Sequence, residues 1–380
     1  MTDAVRYIDS LELFGMAFGL DRMVGLLGRL GNPERSFDAI HVVGTNGKGS
    51  TVLFAEALLE AEGVRTGAYL SPHITSFRER IRIGGAEVSP DAYEDAVLRV
   101  RDAAGAGVTQ FEALTAAAFC AFAAAGVEWG VVEAGLGGRL DATNVLPRSR
   151  VQVLTNVSLE HTQLLGTTRE AIAAEKLAVV PAGGLLVVGE PEWGALAPQA
   201  GRVEAVRAEG TYQDQNRAVA LAAVELARGG PVDPAPMLGV RIPGRMEVRG
   251  HDPLEVWDGA HNVAGMARFV AELPALLEGR HPRVAVFSTL GEKDVAGMVE
   301  LLSGVSDVVV ATQSTNPRVL PAAELAALTG GEFEPDPGRA RERAIELSGH
   351  RGAVIVCGSL YLLHDLISRP HGVEAARSPA

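Results

Sequence analysis

Lysine is nearly absent from this sequence of 380 residues. Of the 34 basic residues only three are lysines, Lys48, Lys176 and Lys293, and the other 31 are arginines. Arginine serves wherever a generic positive charge is enough, whereas lysine offers a compact point charge or an amine that can be modified. Each remaining lysine is therefore a candidate for chemistry that a guanidinium group cannot perform.

Cysteine, positive charge and long apolar runs are scarce as well. The two cysteines, Cys120 and Cys357, stand in apolar stretches, which predicts buried free thiols in a reducing cytoplasm. A formal net charge of -13 argues against a nucleic-acid backbone as partner. The first residues lack a signal-peptide pattern, and the longest apolar stretch, 113–127, is too short to span a bilayer. We therefore expect a cytoplasmic protein that binds neither nucleic acid nor membrane.

The length predicts two domains, because one ordinary core holds fewer residues. Apolar runs alternate with helical stretches in both halves, which is typical of α/β domains. A proline-rich stretch at 231–236 is followed by Ile-Pro-Gly-Arg at 242–245, which indicates a hinge. We expect an N-terminal domain at 1–240, a hinge at 241–246, a second α/β domain at 247–370 and a disordered tail at 371–380.

A glycine-rich loop with one lysine is the central motif of the first half. The apolar run 40–43 breaks into three glycines around Lys48, and an amphipathic segment follows, which predicts strand, loop and helix. Backbone N–H groups of such a loop, the helix N-terminus and the ammonium group together bind polyphosphate. The loop residues that we expect to bind a nucleotide are Gly44, Thr45, Asn46, Gly47, Lys48, Gly49, Ser50 and Thr51.

This cradle, residues 44–51, departs from the common P-loop pattern in one respect. Gly49 follows the lysine where a magnesium-binding Ser or Thr is usual. Either Ser50 supplies the hydroxyl group or the metal finds its ligands elsewhere. The alternative to a cradle is a glycine-rich turn with a solvated lysine, which the flanking strand and helix disfavour.

Polar side chains follow three further predicted strands of this half. Ser71 follows the strand at 66–70, and Glu133 follows the strand at 129–132 and opens a glycine-rich run to Asn144. The strand at 151–155 is followed by Asn156, Glu160 and His161, and the last strand of this half is expected at 185–188. Ligands of open α/β sheets bind at the carboxyl ends of strands. Glu133 is thus a candidate metal ligand or general base, with a helix-capping acid as the alternative.

Lys176 is predicted to be buried. Thr167 and Glu170 form a capping-box pattern for a helix that we expect to run to Val180. On that helix Lys176 shares a face with Ile172 and Val180, which are apolar. A buried lysine is costly, so it must be paired, neutral or modified. The candidate ion-pair partners are Glu133, Glu160 and Glu175.

The second half repeats the alternation of strands and helices. Its predicted strands lie at 254–257, 284–287, 308–311 and 353–357. The first strand is followed by Asp258 and His261 within Asp-Gly-Ala-His-Asn, and the second is followed by Ser288 and then Lys293. These side chains also stand at carboxyl ends of strands.

Together these segments resemble the folylpolyglutamate synthase and dihydrofolate synthase family, within the Mur ligases. The resemblance covers nearly the whole chain in order, and the run from Glu133 to Asn144 is its most specific part. The segments that carry it are 44–50, 133–144, 161–176, 243–245, 258–262, 293–294, 316–318 and 358–361.

The resemblance implies a fold and an activity. The fold is a P-loop-type ATPase domain with a mainly parallel sheet, followed by a smaller Rossmann-like α/β domain. The activity is ATP-dependent addition of L-glutamate to dihydropteroate or to a reduced folate through an acyl phosphate, by a monomer that carries out both reactions. The alternatives are dihydrofolate synthesis alone, a Mur-type ligase for another carboxylate, and a binding protein in which ATP drives only a switch.

The resemblance also implies roles for particular residues. Two magnesium ions and a monovalent cation would accompany ATP, with Ser71, Glu133 and His161 as magnesium ligands and a carbamylated Lys176 binding the second magnesium. Asn216 and Arg245 match positions that contact the nucleotide, and Asp258 and His261 face it from the second domain. The residues expected to act in catalysis are Lys48, Lys176, Asp258 and His261.

Overall fold

The computed structural model describes residues 2–12 and 19–368. The chain divides into two compact units, Met1–Arg241 and Ile242–Ala380. Each unit is an α/β structure, as the alternation of strands and helices predicts. The boundary lies within the predicted hinge at 241–246, and bending of that segment stays a prediction. The predicted disordered tail at 371–380 lies outside the described residues.

The described part of unit 1 forms an eight-stranded sheet in the order β4-β3-β2-β5-β1-β6-β7-β8. All neighbouring strands are parallel except for the antiparallel pairs β2–β3 and β3–β4. The strands are β1 Asp38–Val43, β2 Thr66–Tyr69, β3 Ile81–Ile83, β4 Ala86–Glu87, β5 Trp129–Glu133, β6 Ser149–Leu154, β7 Leu185–Val188 and β8 Arg202–Ala205. The helices are α1 Asp3–Ser10, α2 Asp21–Arg29, α3 Lys48–Ala61, α4 Pro90–Ala103, α5 Gln110–Ala125, α6 Thr162–Leu165, α7 Arg169–Leu177 and α8 Tyr212–Arg228.

The parallel strands β2, β5, β1 and β6 bring the predicted polar residues to one edge of the sheet. Because their carboxyl ends share that edge, the cradle after β1 lies beside Ser71 after β2 and Glu133 at the end of β5. The register pairs Val42 of β1 with Glu133. The predicted strands at 40–43, 66–70, 129–132, 151–155 and 185–188 are confirmed.

Two details of the predicted elements in unit 1 are wrong. The strand at 185–188 is not the last strand of the unit, because β8 follows it. The residues of β8 are mostly exposed and two of them are charged, so they form no apolar run. The cap of α7 is Thr168, whose backbone is extended and whose hydroxyl group accepts from the amide of Ala171, so Thr167 does not cap it. This helix ends at Leu177 and not at Val180, which precedes a proline and is therefore restricted to non-helical backbone.

Small residues let the alanine-rich helix α5 approach the sheet closely. Phe122 of α5 covers Gly67, and Phe37 covers Gly130, where an added Cβ atom would lie 2.7 Å from the ring. The two rings also contact each other edge to face, with centroids 5.4 Å apart. The glycines on β2 and β5 therefore make room for aromatic side chains in the core.

The described part of unit 2 forms a six-stranded sheet in the order β13-β12-β11-β14-β10-β9, which is parallel except for β9. The strands are β9 Glu247–His251, β10 Leu254–Trp257, β11 Arg283–Phe287, β12 Val308–Ala311, β13 Glu332–Phe333 and β14 Ala353–Cys357. The helices are α9 Val263–Leu276, α10 Val295–Ser303, α11 Ala322–Thr329, α12 Pro337–Ser348 and α13 Leu360–Ser368. The four predicted strands are confirmed, and the edge strands β9 and β13 are additional.

Both cysteines are buried free thiols, as predicted. Burial raises the pKa of Cys120 to about 11, so this thiol stays protonated and unreactive. Across residues 2–12 and 19–368, the structure contains no helix with the length and apolar character that a membrane span requires.

Substitution of Gly130 by alanine tests the close packing of β5 under Phe37. Because the added methyl group would collide with a buried ring, we expect Gly130→Ala to lower the free energy of unfolding by about 1–3 kcal/mol. The matched control is Gly28→Ala in α2, where an added Cβ meets nothing within 4 Å. Since alanine favours a helix, the control should be neutral or more stable by about 1 kcal/mol. Urea denaturation measures both, and equal stabilities of the two variants would contradict this account of the core.

Candidate active site

The cradle of unit 1 is shaped by close neighbours on three sides. An added Cβ on Gly44 would collide with the hydroxyl group of Thr155, and one on Gly47 would collide with the Asn216 side chain. Both glycines also have positive φ angles, 150° and 82°, which other residues rarely adopt. The loop therefore needs glycine at these two positions to lie against β6 and α8.

The residues that follow β6 hold the cradle in place. Asn156 binds both backbone groups of Asn46, accepting from its amide at 3.1 Å and donating to its carbonyl oxygen at 2.7 Å. The hydroxyl group of Thr155 donates to the same carbonyl oxygen at 2.7 Å. The amide of Thr45 donates to the carbonyl oxygen of Asn156 at 2.9 Å. A cradle fixed in this way is preorganised for an anion.

Lys48 begins helix α3 and turns back over the loop. Its ammonium group donates to the carbonyl oxygens of Gly44 and Thr45 at 3.0 and 3.1 Å. Ser50 is buried, and the hydroxyl group of Thr51 donates to the carbonyl oxygen of Gly47 at 3.0 Å. The charge of Lys48 thus lies at the cradle, while Thr51 stabilises the first turn of the helix.

The Glu133 carboxylate explains why Gly49 replaces the usual Ser or Thr. A Cβ atom added to Gly49 would lie 3.3 Å from Oε2 of Glu133, so the carboxylate stands where the usual hydroxyl side chain would extend. Glu133 is buried, and its Oε2 accepts from the Ser71 amide at 2.9 Å. No helix begins in the described stretch 134–148, which removes the alternative of a helix-capping acid. A carboxylate oxygen of the neighbouring strand thus lies beside Gly49, and its role as a metal ligand stays a prediction.

Lys176 is buried, as predicted, and it contacts the first residue of the cradle. Its ammonium group donates to Glu160 at 2.8 Å and to the carbonyl oxygen of Gly44 at 2.9 Å, so Gly44 accepts from two lysines. Of the three candidate partners, the structure pairs Glu160 with Lys176, while Glu175 pairs with Arg139 at 3.0 Å.

The charges around Lys176 shift the pKa values of both partners. Burial lowers the pKa of Lys176 below its usual value, Glu160 opposes this shift, and the like charge of Lys48 adds to it. Burial alone would raise the pKa of Glu160, but the charges of Lys176 and Lys48 outweigh it and lower that pKa. The carboxylate is therefore ionised, and the ammonium group of Lys176 loses its proton more readily than an exposed lysine.

The glycine-rich run after Glu133 is anchored by a chain of buried hydrogen bonds. Asp141 accepts from the Leu136 amide at 2.8 Å and from the hydroxyl group of Thr143 at 2.5 Å. His41 of β1 contacts the same hydroxyl group at 2.8 Å, and burial lowers the pKa of His41 to about 4, so the ring is neutral. These hydrogen bonds connect the run from Glu133 to Asn144 with β1.

The predicted metal ligands come only partly together. Ser71 and Glu133 are in direct contact, whereas His161 begins the short helix α6 with a φ of 43° and follows Glu160 in the chain. Within residues 2–12 and 19–368 no three His, Cys, Asp or Glu side chains form a group that could hold a metal. Magnesium is usually bound by one or two carboxylates together with substrate phosphates, so a Ser and a Glu beside a cradle fit it.

The remaining predicted residues form a cluster within unit 2. Asp258 is buried after β10 and accepts from the amides of Met246 and Ala260 at 2.8 and 2.7 Å. The guanidinium group of Arg245 lies 3.9 Å from the Asp258 carboxylate, and Nδ1 of His261 lies 2.9 Å from the carbonyl oxygen of Gly259. Lys293 is half-buried in the loop before α10. Asp258 and His261 thus lie on the turn after β10, and Arg245, which precedes β9, approaches the same turn.

Some residues that shape the site gave no clear signal in the sequence. Thr155 was part of a predicted strand, and Asn156 was one of several polar residues after it. Their role depends on the parallel pairing of β6 with β1, which brings residues about 110 positions apart into contact. The available signal was that a Thr-Asn pair directly follows a buried strand that adjoins the cradle.

The sequence and the fold are both similar to those of known proteins. The family described as Mur ligase, glutamate ligase domain, matches residues 244–360. A dihydrofolate synthase/folylpolyglutamate synthase of Mycobacterium tuberculosis is 34% identical, over 85% of this chain and 80% of the relative. A structure of E. coli FolC in complex with DHPP and ADP has a TM-score of 0.87 at 29% identity, over 96% of both chains. A bifunctional folylpolyglutamate synthase/dihydrofolate synthase with Mn, AMPPNP and L-glutamate bound has a TM-score of 0.86 at 30% identity, also over 96% of both chains.

The contact between Gly44 and Thr155 can be tested with an alanine at Gly44. Because the methyl group would displace the loop, we expect Gly44→Ala to weaken ADP binding by about a hundredfold, the scale on which misplacement by roughly 1 Å acts. The control is Gly63→Ala, which also has a positive φ, 73°, but meets nothing within 4 Å. Isothermal titration calorimetry should show nearly unchanged ADP affinity for the control. Tight ADP binding by Gly44→Ala would mean that the loop does not depend on this contact.

Proposed function

Since this chain belongs to the dihydrofolate synthase/folylpolyglutamate synthase family of the Mur ligases, we propose that it joins L-glutamate to dihydropteroate or to a reduced folate with ATP. It is an ADP-forming acid-amino-acid ligase of folate metabolism. The relatives combine both acceptors in one name, which supports both reactions in this chain as well.

One observation carries this proposal: the Glu133 carboxylate and two lysines meet at one cradle. Lys48 and Lys176 both donate to Gly44, and Glu133 faces Gly49 in the first turn of α3. Transfer of a phosphoryl group requires positive charge on the phosphate oxygens and a carboxylate that holds the metal ion. The cradle provides the first through Lys48 and the second through Glu133.

In the first step the acceptor carboxylate attacks the γ-phosphorus of ATP. A bond forms between the carboxylate oxygen and phosphorus, the bond to the bridging oxygen of ADP breaks, and an acyl phosphate results. The backbone amides of the cradle and the ammonium group of Lys48 hold the phosphate oxygens during this transfer. In the second step the neutral amine of glutamate attacks the acyl carbon and a C–N bond forms. The C–O bond to phosphate breaks, its electron pair leaves with phosphate, and the nitrogen loses a proton to water.

The divalent metal would be held by the Ser71 hydroxyl group and the Glu133 carboxylate, with His161 as a third ligand. When bound, it neutralises charge on the phosphate oxygens as phosphoryl transfer proceeds. We further propose a second magnesium ion and a monovalent cation, which the resemblance implies. The roles of Arg245, Asp258 and His261 toward the nucleotide, and a monomeric cytoplasmic protein, likewise stay predictions.

Acceptor dependence of ATP turnover tests the proposed function. We expect release of ADP to require L-glutamate together with dihydropteroate or a reduced folate, assayed in parallel, and to be lost in Lys48→Ala. Turnover with dihydropteroate only would restrict the enzyme to dihydrofolate synthesis. If neither acceptor supports ATP turnover, a ligase for another carboxylate is favoured. Hydrolysis of ATP without any acceptor would favour a nucleotide switch.

Glu133→Gln tests the metal site. Loss of one carboxylate charge should raise the magnesium concentration needed for half-maximal turnover and lower the rate by about a hundredfold, the scale of one major electrostatic stabiliser. Glu209→Gln is the control, because Glu209 is an exposed carboxylate in the same unit. Magnesium titration of steady-state turnover measures both variants. Unchanged magnesium dependence in Glu133→Gln would remove this residue from the metal site.

We propose in addition that Lys176 reacts with carbon dioxide to form a carbamate. The reaction requires the neutral amine, and the lowered pKa of Lys176 favours that form. The ion pair with Glu160 is the competing arrangement, and it is the one present in the structure. A carbamate would replace a buried cation by a carboxylate, which could bind the second magnesium ion.

Substitutions of Lys176 separate the carbamate from the ion pair. We expect Lys176→Ala to lose activity and to regain part of it with added short carboxylic acids. Lys176→Arg should be inactive, since a guanidinium group is not nucleophilic although it can pair with Glu160. Carbon-13 NMR after addition of labelled bicarbonate should show a carbamate signal in the wild type that Lys176→Arg lacks. Full activity of Lys176→Arg in buffer stripped of bicarbonate would support the ion pair alone.

A further inference from the structure

A cavity lies at the amino ends of the central strands of unit 1, at the end of the sheet opposite the cradle. The first residues of four adjacent strands line it, Asp38 of β1, Trp129 of β5, Ser149 of β6 and Leu185 of β7. Its volume of about 560 Å³ falls within the range of about 300–1,000 Å³ that is typical of small-molecule sites. The cradle lies at the carboxyl ends of these strands, so the cavity is a separate candidate site.

The wall of this cavity is apolar on the side of α8. Leu226 and Ala227, from the last turn of α8, line it together with Pro181 of the loop before β7. Trp129 is the aromatic member of the lining residues, and it is only half-buried, so part of it remains accessible. Such a wall favours a ring or another flat apolar group.

Two arginines share one carboxylate on the polar side of the cavity. Nε of Arg148 and Nε of Arg150 donate to the same oxygen of Asp38, Oδ1, at 2.7 and 2.8 Å. The hydrogen bond from Arg148, together with that from Arg150, lowers the pKa of Asp38, so one negative charge faces two positive charges. Both arginines are exposed, and among the described residues neither guanidinium group binds a second acceptor. One positive charge is therefore left over beside the cavity.

The surroundings of the two arginines add a donor without cancelling this charge. Glu128 accepts from the backbone amide of Arg65 at 3.2 Å, so these two residues bring one charge of each sign. The carbonyl end of α8 is negative, but Arg228 stands in its last turn. The hydroxyl group of Ser149 accepts from Nε2 of Gln152 at 2.9 Å, which leaves its own proton for an acceptor.

We propose that this cavity binds a small aromatic carboxylate. The carboxylate group accepts from Arg150 and from the hydroxyl group of Ser149, and the ring lies against Trp129 and the apolar wall. One left-over positive charge matches a monoanion, whereas the Asp38 carboxylate disfavours a dianion such as phosphate. The inference goes beyond the proposed function and does not depend on it.

Helix α8 separates this ligand from the substrates of the cradle. Asn216 packs against Gly47 of the cradle, and Ala227 lines the cavity. These two residues of α8 are about 16 Å apart along the helix axis, at a rise of about 1.5 Å per residue. A ligand of the cavity therefore does not compete with a nucleotide at the cradle.

A carboxylate and its amide test the charge preference of the cavity. We would titrate the full chain with 2-naphthoate and with 2-naphthamide, which have the same ring and differ in charge, and follow binding by ligand-observed NMR. The wild type should bind 2-naphthoate about tenfold more tightly than 2-naphthamide, the scale of one hydrogen bond to a charged group. Saturating ADP should leave both affinities unchanged.

Two variants assign the binding to this cavity and not to the acceptor site of the proposed reaction. Ala227→Phe places a ring in the cavity and should remove binding of both probes. Arg150→Gln leaves Asp38 paired with Arg148 alone, so the two charges balance. In this variant the preference for 2-naphthoate should fall to about one.

A matched control and a second way to fill the cavity complete the set of variants. Arg101 is also an exposed arginine that pairs with an aspartate, Asp102, at 2.8 Å, so Arg101→Gln should keep the wild-type preference. If Ala227→Phe does not fold, Ala182→Phe fills the cavity from the exposed loop before β7 and should likewise remove binding.

The inference is overturned if the wild type does not bind 2-naphthoate, binds 2-naphthamide equally well or releases the probe when ADP is added. It is also overturned if the variant with the filled cavity still binds the probes, or if Arg150→Gln keeps the wild-type preference. None of these results bears on glutamate ligation, because the cradle takes no part in the proposed contact.

Discussion

The carbonyl oxygen of Gly44 accepts hydrogen bonds from the ammonium groups of both Lys48 and Lys176. Two like charges on one acceptor repel each other, and the carboxylate of Glu160, with a smaller contribution from Asp141, offsets them. Burial makes this arrangement costly for Lys176 in particular. An incoming polyphosphate supplies the missing negative charge, so the binding of an anion relieves a repulsion that the folded protein already contains.

Much of the fold could be predicted from the sequence, because apolar runs identify buried parallel strands. β1, β5, β6, β10 and β14 are of this kind. The edge strands β4, β8 and β13 could not be predicted, since their exposed side chains leave no apolar pattern. The capping-box pattern predicts the α7 cap one residue too early, because Thr167 and Thr168 are chemically equivalent and only the backbone geometry selects between them.

The sequence predicts which residues belong to the candidate site, but it does not predict which of them are in contact. Lys176 was expected to be buried from helical spacing alone, yet the sequence left three carboxylates open as its partner. The choice of Glu160 depends on the loop after β6, whose path is set by tertiary structure. In the same way Gly44, Gly47 and Gly49 face Thr155, Asn216 and Glu133, which come from three distant elements. The shape of the cradle is thus imposed by the rest of unit 1, and the cradle cannot form before its neighbours are in place.

The position of Glu133 on a strand makes its contact with the cradle depend on the pairing of the sheet. In the common P-loop the metal ligand belongs to the same helix as the lysine, so a local turn fixes both. Here Glu133 reaches Gly49 through the register that aligns it with Val42 of β1. Because successive side chains of a strand point to opposite faces, a slip of one residue between β5 and β1 would direct this carboxylate away from the cradle. With Glu133 in its proposed role as metal ligand, the affinity for the ion is set by the alignment of two strands. A chain with these strands misaligned would keep its phosphate loop but would lack the carboxylate beside it.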